Sequence, residues 1–98
     1  MKIENSDGIS ANMSSLSGYV TTTYEELVQT FGPPTYECND LRDKIQTEWC
    51  LRLDGVVCTI YNWKTEGTPT GRYDWHIGGY GKNEVELVER AISEQRRK

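Results

Sequence analysis

The chain has 98 residues, 11 basic against 15 acidic side chains, a formal net charge of −4 and 36% hydrophobic residues. That is enough for one domain with a modest core, and it leaves no basic stripe of the kind that neutralises nucleic-acid phosphates. No apolar run approaches the ~20 residues that span a bilayer, and 3 cysteines without close spacing fit neither a disulfide scaffold nor a paired-cysteine zinc site.

Residues 1–17 are rich in Ser, Asn, Gly and charge, with isolated Ile3, Ile9, Met13 and Leu16. They read as a flexible or loosely docked leader, and residues 18–98 as a single domain. Lys2, Glu4 and Asp7 break any secretion-signal pattern, so the expected compartment is the cytoplasm. Tyr19 to Thr21 suits a short edge strand. Thr22 with Glu25, or Thr23 with Glu26, forms a capping box where Tyr24, Leu27, Val28 and Phe31 recur at helical spacing. The spacing predicts a helix over 23–31, stopped by Gly32 and kept from resuming by Pro33 and Pro34.

Residues 35–44 are polar and read as a loop. Two period-2 apolar runs, 45–53 and 56–63, then meet at Asp54-Gly55, a strong short-range hairpin signal, because both residues tolerate the positive φ of a tight turn. A two-residue turn pairs Leu53 with Val56, Leu51 with Cys58 and Trp49 with Ile60 on one core face. Cys50, Arg52, Val57, Thr59 and Tyr61 fall on the opposite face, left to solvent or a partner. The loop 64–71, with Gly67, Pro69 and Gly71, is expected to have a mobile tip. In the third strand Tyr73, Trp75 and Ile77 point inward, Asp74 and His76 outward. Asn83 with Glu86 predicts a second cap, and Val85, Leu87, Val88, Ala91 and Ile92 a closing helix over 84–94, with Arg96, Arg97 and Lys98 complementing its dipole. The expected class is α+β, in the order α-β-β-β-α, with an antiparallel sheet of three to four strands and two helices packed on one face.

Three constellations have chemical meaning. Gly78, Gly79, Gly81 and Lys82 lie between a strand and a helix, where backbone amides can hold a phosphate; yet the pattern is not a Walker loop, and Glu84 and Glu86 would repel an anion. His76 is the sole histidine, with Asp74 beside it to raise its pKa and Cys50 on the same face as a remote nucleophile. A Cys–His pair would also need an activated thiolate and an oxyanion site. The third is aromatic. Trp49, Tyr61, Trp63, Tyr73, Trp75 and Tyr80 exceed what a small core can hold, and the outward ones suit either a binding surface or burial under the leader or the 64–71 loop. Stacking of a base on Trp63 or Tyr61 is a further use of the same rings.

The run Thr23-Tyr-Glu-Glu-Leu-Val-Gln-Thr-Phe-Gly-Pro-Pro-Thr35, then Glu48-Trp49, Asp54-Gly-Val-Val-Cys-Thr-Ile-Tyr-Asn-Trp-Lys64 and Tyr73-Asp-Trp-His-Ile-Gly-Gly79, resembles small accessory proteins encoded by bacterial viruses. At the level of a helix-then-sheet module it is also similar to the β-lactamase inhibitor protein and the outer-membrane assembly lipoproteins. From the latter it departs in lacking a lipidation signal and in adding a C-terminal helix. Both likenesses imply action by contact. The expectation is therefore a non-enzymatic protein of the infected cell's cytoplasm, without cofactor, metal or membrane, that inhibits or redirects a host or defence protein through Arg52, Tyr61, Trp63, Asp74, His76 and Tyr80. A homodimer is compatible with it. The competing expectation is a nucleotide-sequestering protein that uses Gly78, Gly79, Gly81 and Lys82 for phosphate.

Overall fold

A computed structural model describes residues 1–37, 45, 47–63, 65 and 67–98. The chain runs β1 (Ile3–Asn5), β2 (Ser15–Thr22), α1 (Tyr24–Phe31), β3 (Tyr36–Glu37), β4 (Thr47–Leu53), β5 (Val56–Tyr61), β6 (Tyr73–Gly79) and α2 (Glu84–Arg96). All pairings are antiparallel, in the order β1-β4-β5-β6-β2, with β3 beside the start of β4. The fold is α+β, and its helices pack on the sheet.

The hairpin that anchors this sheet follows from its turn. Asp54 and Gly55 take φ of 49° and 86°, the left-handed values that match the strands' twist. Leu53 opposes Val56, Leu51 opposes Cys58 and Trp49 opposes Ile60, the register expected from the sequence. Their shared face is the core: Trp49, Leu51, Leu53, Cys58, Ile60, Trp75 and Ile77 are fully buried against Leu27 and Phe31 of α1 and Val88, Ala91 and Ile92 of α2. Both buried indoles satisfy their N–H. Trp49 Nε1 donates to the Gly32 carbonyl at 3.0 Å and Trp75 Nε1 to the Thr22 carbonyl at 3.3 Å. Tyr73, half-buried, packs edge-on against Trp75 at 5.3 Å.

Helix α1 starts and stops as its sequence dictates. Thr23 Oγ1 accepts from the Glu26 amide at 3.2 Å, and Gly32, at φ 87°, returns its N–H to Val28. The second helix differs. Asn83 stands in the left-handed region at φ 64° and makes no side-chain capping bond, so the expected cap with Glu86 does not form; Glu84 instead ties down the preceding turn through the Tyr80 and Lys82 amides. Arg96 closes the helical layer sideways: Nε and Nη2 both meet the Glu26 carboxylate at 2.8 Å, tying α2 to α1.

The leader expectation is corrected. Residues 3–5 pair with β4, Ile3 opposite Leu53 and Asn5 opposite Leu51, and β2 begins at Ser15. Asn5 is a pin: its Nδ2 donates to the carbonyls of Phe31 (3.0 Å) and Pro33 (2.9 Å), and its Oδ1 accepts from Thr35 (2.6 Å). Among the described residues the sheet therefore has six strands where three to four were expected. The additions are short or serine-rich segments whose strand character comes from pairing and not from propensity.

The described part of the 64–71 loop is also tied down. Buried Asn62 accepts from the Thr47 amide at 2.9 Å and donates to Thr65 at 2.7 Å, while Thr47 and Thr68 share a hydroxyl bond of 2.6 Å. Lys64 and Glu66, and residues 38–44 of the 35–44 loop, lie outside the described residues.

Candidate functional site

Strand alternation turns Glu48, Cys50 and Arg52 of β4, Val57, Thr59 and Tyr61 of β5, Asp74 and His76 of β6, and Tyr19 and Thr21 of β2 away from the helices. Register arranges them in rows across the sheet. One row reads Glu48, Tyr61, His76, Tyr19; the next, two residues along, reads Cys50, Thr59, Gly78, Leu16.

The second row is covered. β1 and β2 lie at opposite edges of the sheet, the helices occupy one face, and residues 6–14 cross the other. Ser6 donates to the Cys50 carbonyl, Tyr36 Oη to the Asp7 carbonyl and Tyr80 Oη to the Asn12 carbonyl at 2.6 Å. Ile9, Cys50 and Thr59 are consequently buried. This strap, part of the expected leader, covers the middle of the outer face, which alternation alone left to solvent or a partner.

It also divides the expected site. Arg52 lies beyond the strap, in a 2.8 Å ion pair with Glu4, four residues or ~13 Å along the strands from the Tyr61 row. Tyr80 anchors the strap itself. Asp74 accepts from the Thr21 hydroxyl and faces away from the strap's side of His76. What remains together is Tyr61, Trp63 and His76, joined by a residue the sequence reading did not assign to a face, Tyr19.

These four rings form one cluster. Tyr61 lies over His76 at 5.3 Å with an interplanar angle of 31°, and Tyr19 meets His76 edge-on at 4.9 Å. Trp63 stands 6.4 Å from Tyr61 and 6.5 Å from His76. Tyr19 is 51% exposed and Trp63 39%, so each still offers a partner roughly half of the ~150–250 Å² that a fully buried aromatic covers. The rim carries carboxylates, Glu48 beside Tyr61 and Asp74 beside His76.

The electrostatics oppose the acid–base reading. Burial lowers the His76 pKa, contrary to the rise expected from Asp74; Asp74 is engaged by Thr21 instead. His76 Nδ1 is buried without a hydrogen-bond partner among the described residues. Cys50 stands on β4, two strands or ~10 Å across the sheet from β6. Its thiol is pushed up to about 11, first by burial and then by Glu48, away from the thiolate a nucleophile needs. Among the described residues no group of three or more His, Cys, Asp or Glu side chains converges as a metal site, and no helix is long and apolar enough to cross a membrane.

The glycine turn is occupied from within. Glu84, 2% exposed, accepts from the Tyr80 amide at 3.1 Å, the Lys82 amide at 2.6 Å and the Ser17 hydroxyl at 2.9 Å. Ser17 reaches it because a bulge between Leu16 and Gly18 leaves that residue out of the ladder. A Cβ on Gly79 would lie 2.4 Å from Glu84 Cγ, so the glycine is needed to admit the side chain. Burial acts to raise the carboxyl's pKa, but the Lys82 amide, Ser17 hydroxyl and neighbouring amides outweigh it, and it titrates below its ordinary range. Of the amides in the turn where a phosphate on Gly78, Gly79, Gly81 and Lys82 would sit, those of Tyr80 and Lys82 are held by the protein's own anion. The sequence carried the signal in Glu84, read there only as repulsive. No protein-family model, curated protein or solved structure matches the chain.

Proposed function

We propose that the protein is non-enzymatic and acts by contact, inhibiting or redirecting a host or defence protein in the manner of small phage-encoded accessory proteins. The observation that carries this reading is the aromatic cluster on the sheet face opposite the helices, in which exposed Tyr19 and Trp63 flank half-buried Tyr61 and His76. Aromatic side chains on a rigid sheet lose little entropy on binding and give large contact areas, which is the composition of interface hot spots. With Glu48 and Asp74 at its rim, the cluster suits a partner surface that offers cationic side chains, since a guanidinium can stack on the rings while a carboxylate neutralises it.

Truncating Trp63 to Ala is expected to weaken partner capture by about 2 kcal/mol, or roughly 30-fold, without loss of fold. The measurement is affinity capture from host lysate with quantitative mass spectrometry, wild type beside variant. Identical recovery of every partner by the folded variant would remove the cluster from the binding surface.

A further inference from the structure

We propose that the cleft beside Glu48 is an arginine-binding site, in which the guanidinium of an arginine on the partner protein lies against the Glu48 carboxylate between the rings of Tyr36 and Tyr61. The site rests on the contact reading above for its partner, and adds to it a recess and the chemical group that fills it.

Period-two alternation sends Trp49 of β4 to the core and its neighbours Glu48 and Cys50 to the outer face. The pairing of β3 with β4 extends the Glu48 row by one residue: Tyr36 opposes Glu48 from one side as Tyr61 does from the other. Directly opposed residues stand ~5 Å apart at Cβ, so both rings are within reach of the carboxylate between them. Cys50 lies under the strap at 4% exposure, whereas Tyr36 is 48% exposed. Glu48 therefore marks the border where the covered part of the face gives way to the open part. An open cleft of about 620 Å³ follows this border, walled by Asp7, Ser10 and Asn12 of the strap and by Tyr36, Glu48 and Cys50 of the sheet.

What sets Glu48 apart is the lack of a counter-ion. Among the described residues every other carboxylate held partly or wholly out of solvent has a strong partner: Arg52 for Glu4, Arg96 for Glu26, the N-terminal ammonium for Glu94, and the Tyr80 and Lys82 amides for Glu84. Half-buried Glu48 has only the Cys50 thiol, at 3.8 Å, and a thiol is a weak donor. Burial accordingly holds its pKa above the ordinary range. Burial first, and then charge that includes Glu48, also raises the hydroxyl pKa of Tyr36 and of Tyr61. A cation from a partner would relieve this uncompensated field. An arginine meets carboxylate and rings at once, with two parallel N–H groups on the oxygens and its flat guanidinium against tyrosine. A lysine ammonium supplies the charge without the plane. A divalent metal needs several oxygen ligands, and no three acidic, His or Cys side chains converge among the described residues. Anions are repelled by Glu48 and Asp7.

The test is a titration of the isotope-labelled full chain with N-acetyl-arginine methylamide, followed by NMR. Saturable, millimolar binding is expected, with shifts centred on Tyr36, Glu48, Tyr61 and the strap. The lysine analogue should bind roughly threefold or more weakly, and the neutral citrulline analogue more weakly again. Glu48→Gln, which keeps the size of the side chain, should weaken arginine binding more than about tenfold. Should that variant misfold, Tyr36→Leu, at an exposed ring, should weaken binding several-fold while the charge stays. No saturable shift, equal binding of the citrulline analogue, or undiminished binding by the folded variants would overturn the proposal. In capture from lysate, a partner lost with Trp63→Ala yet kept in full by Glu48→Gln would overturn the arginine site and leave the contact reading standing. Arginine binding at Glu48, with every partner indifferent to Trp63→Ala, would do the reverse.

Discussion

Replacing Glu84 by Ala tests the reading of the glycine turn most directly. The carboxylate is buried and takes three donors, the Ser17 hydroxyl and the Tyr80 and Lys82 amides, at 2.9, 3.1 and 2.6 Å. Hydrogen bonds to a charged group contribute roughly 1.5–3 kcal/mol each, and orphaned buried donors cost a comparable amount. Tyr80, Gly81 and Lys82 are themselves exposed, so water can take over part of the vacated site, and the loss falls below the ~4.5 kcal/mol that three such bonds at the low end would sum to. We expect a loss of about 3 kcal/mol, which for a domain of this size lowers the melting temperature by roughly 12–24 °C. Urea unfolding followed by circular dichroism and tryptophan fluorescence gives the number. The pH dependence supplies a second check. Because the folded-state pKa lies below the ordinary value of 4.5, the contribution is whole above that value and drains as pH falls through the folded pKa. The gap between wild type and variant should therefore narrow in acid. Added phosphate should restore some stability to the variant, whose amides are free, and none to the wild type. A loss below about 0.5 kcal/mol, a gap that ignores pH, or phosphate stabilising the wild type would each refute the account of an internal anion filling the turn.

Other outcomes follow from the same geometry. Gly79→Ala places a Cβ 2.4 Å from Glu84 Cγ and should cost about 1–3 kcal/mol; combined with Glu84→Ala the losses should fall short of additivity, which a double-mutant cycle of urea melts measures. Asn5→Ala removes the bonds to Phe31, Pro33 and Thr35 and should destabilise by about 2 kcal/mol, with residues 1–14 becoming the first site of limited proteolysis; unchanged protection would mean the strap does not rest on Asn5. His76 has a pKa lowered from 6.5 by burial, so the unfolded chain takes up a proton first and stability should fall as pH drops below 6.5 toward the folded value. His76→Gln should flatten that part of a stability-against-pH curve, and an identical slope in both proteins would contradict it.

Local chemistry decided the parts of this molecule that depend on neighbours in sequence. Asp54-Gly55 set a two-residue turn, the turn set the register, and the register sent Trp49, Leu51, Leu53, Cys58 and Ile60 to the core. Thr23, Gly32 and the spacing of Leu27 and Phe31 determined α1 in the same way. The strap and the added strands depend on contacts between residues far apart, such as Asn5 with Phe31 and Tyr80 with Asn12, and a serine-rich segment has no periodicity that would announce them. The same holds at the candidate site. Alternation alone turned Tyr61 and His76 outward, but only the pairing of β2 with β6 brought Tyr19 to His76, and only the strap separated Arg52 and Tyr80 from them. Side-chain direction along a strand is a local property with period two. Which strands lie side by side, and which faces are covered, is settled by long-range burial and hydrogen bonding, and that is where the outer face acquired its present boundaries.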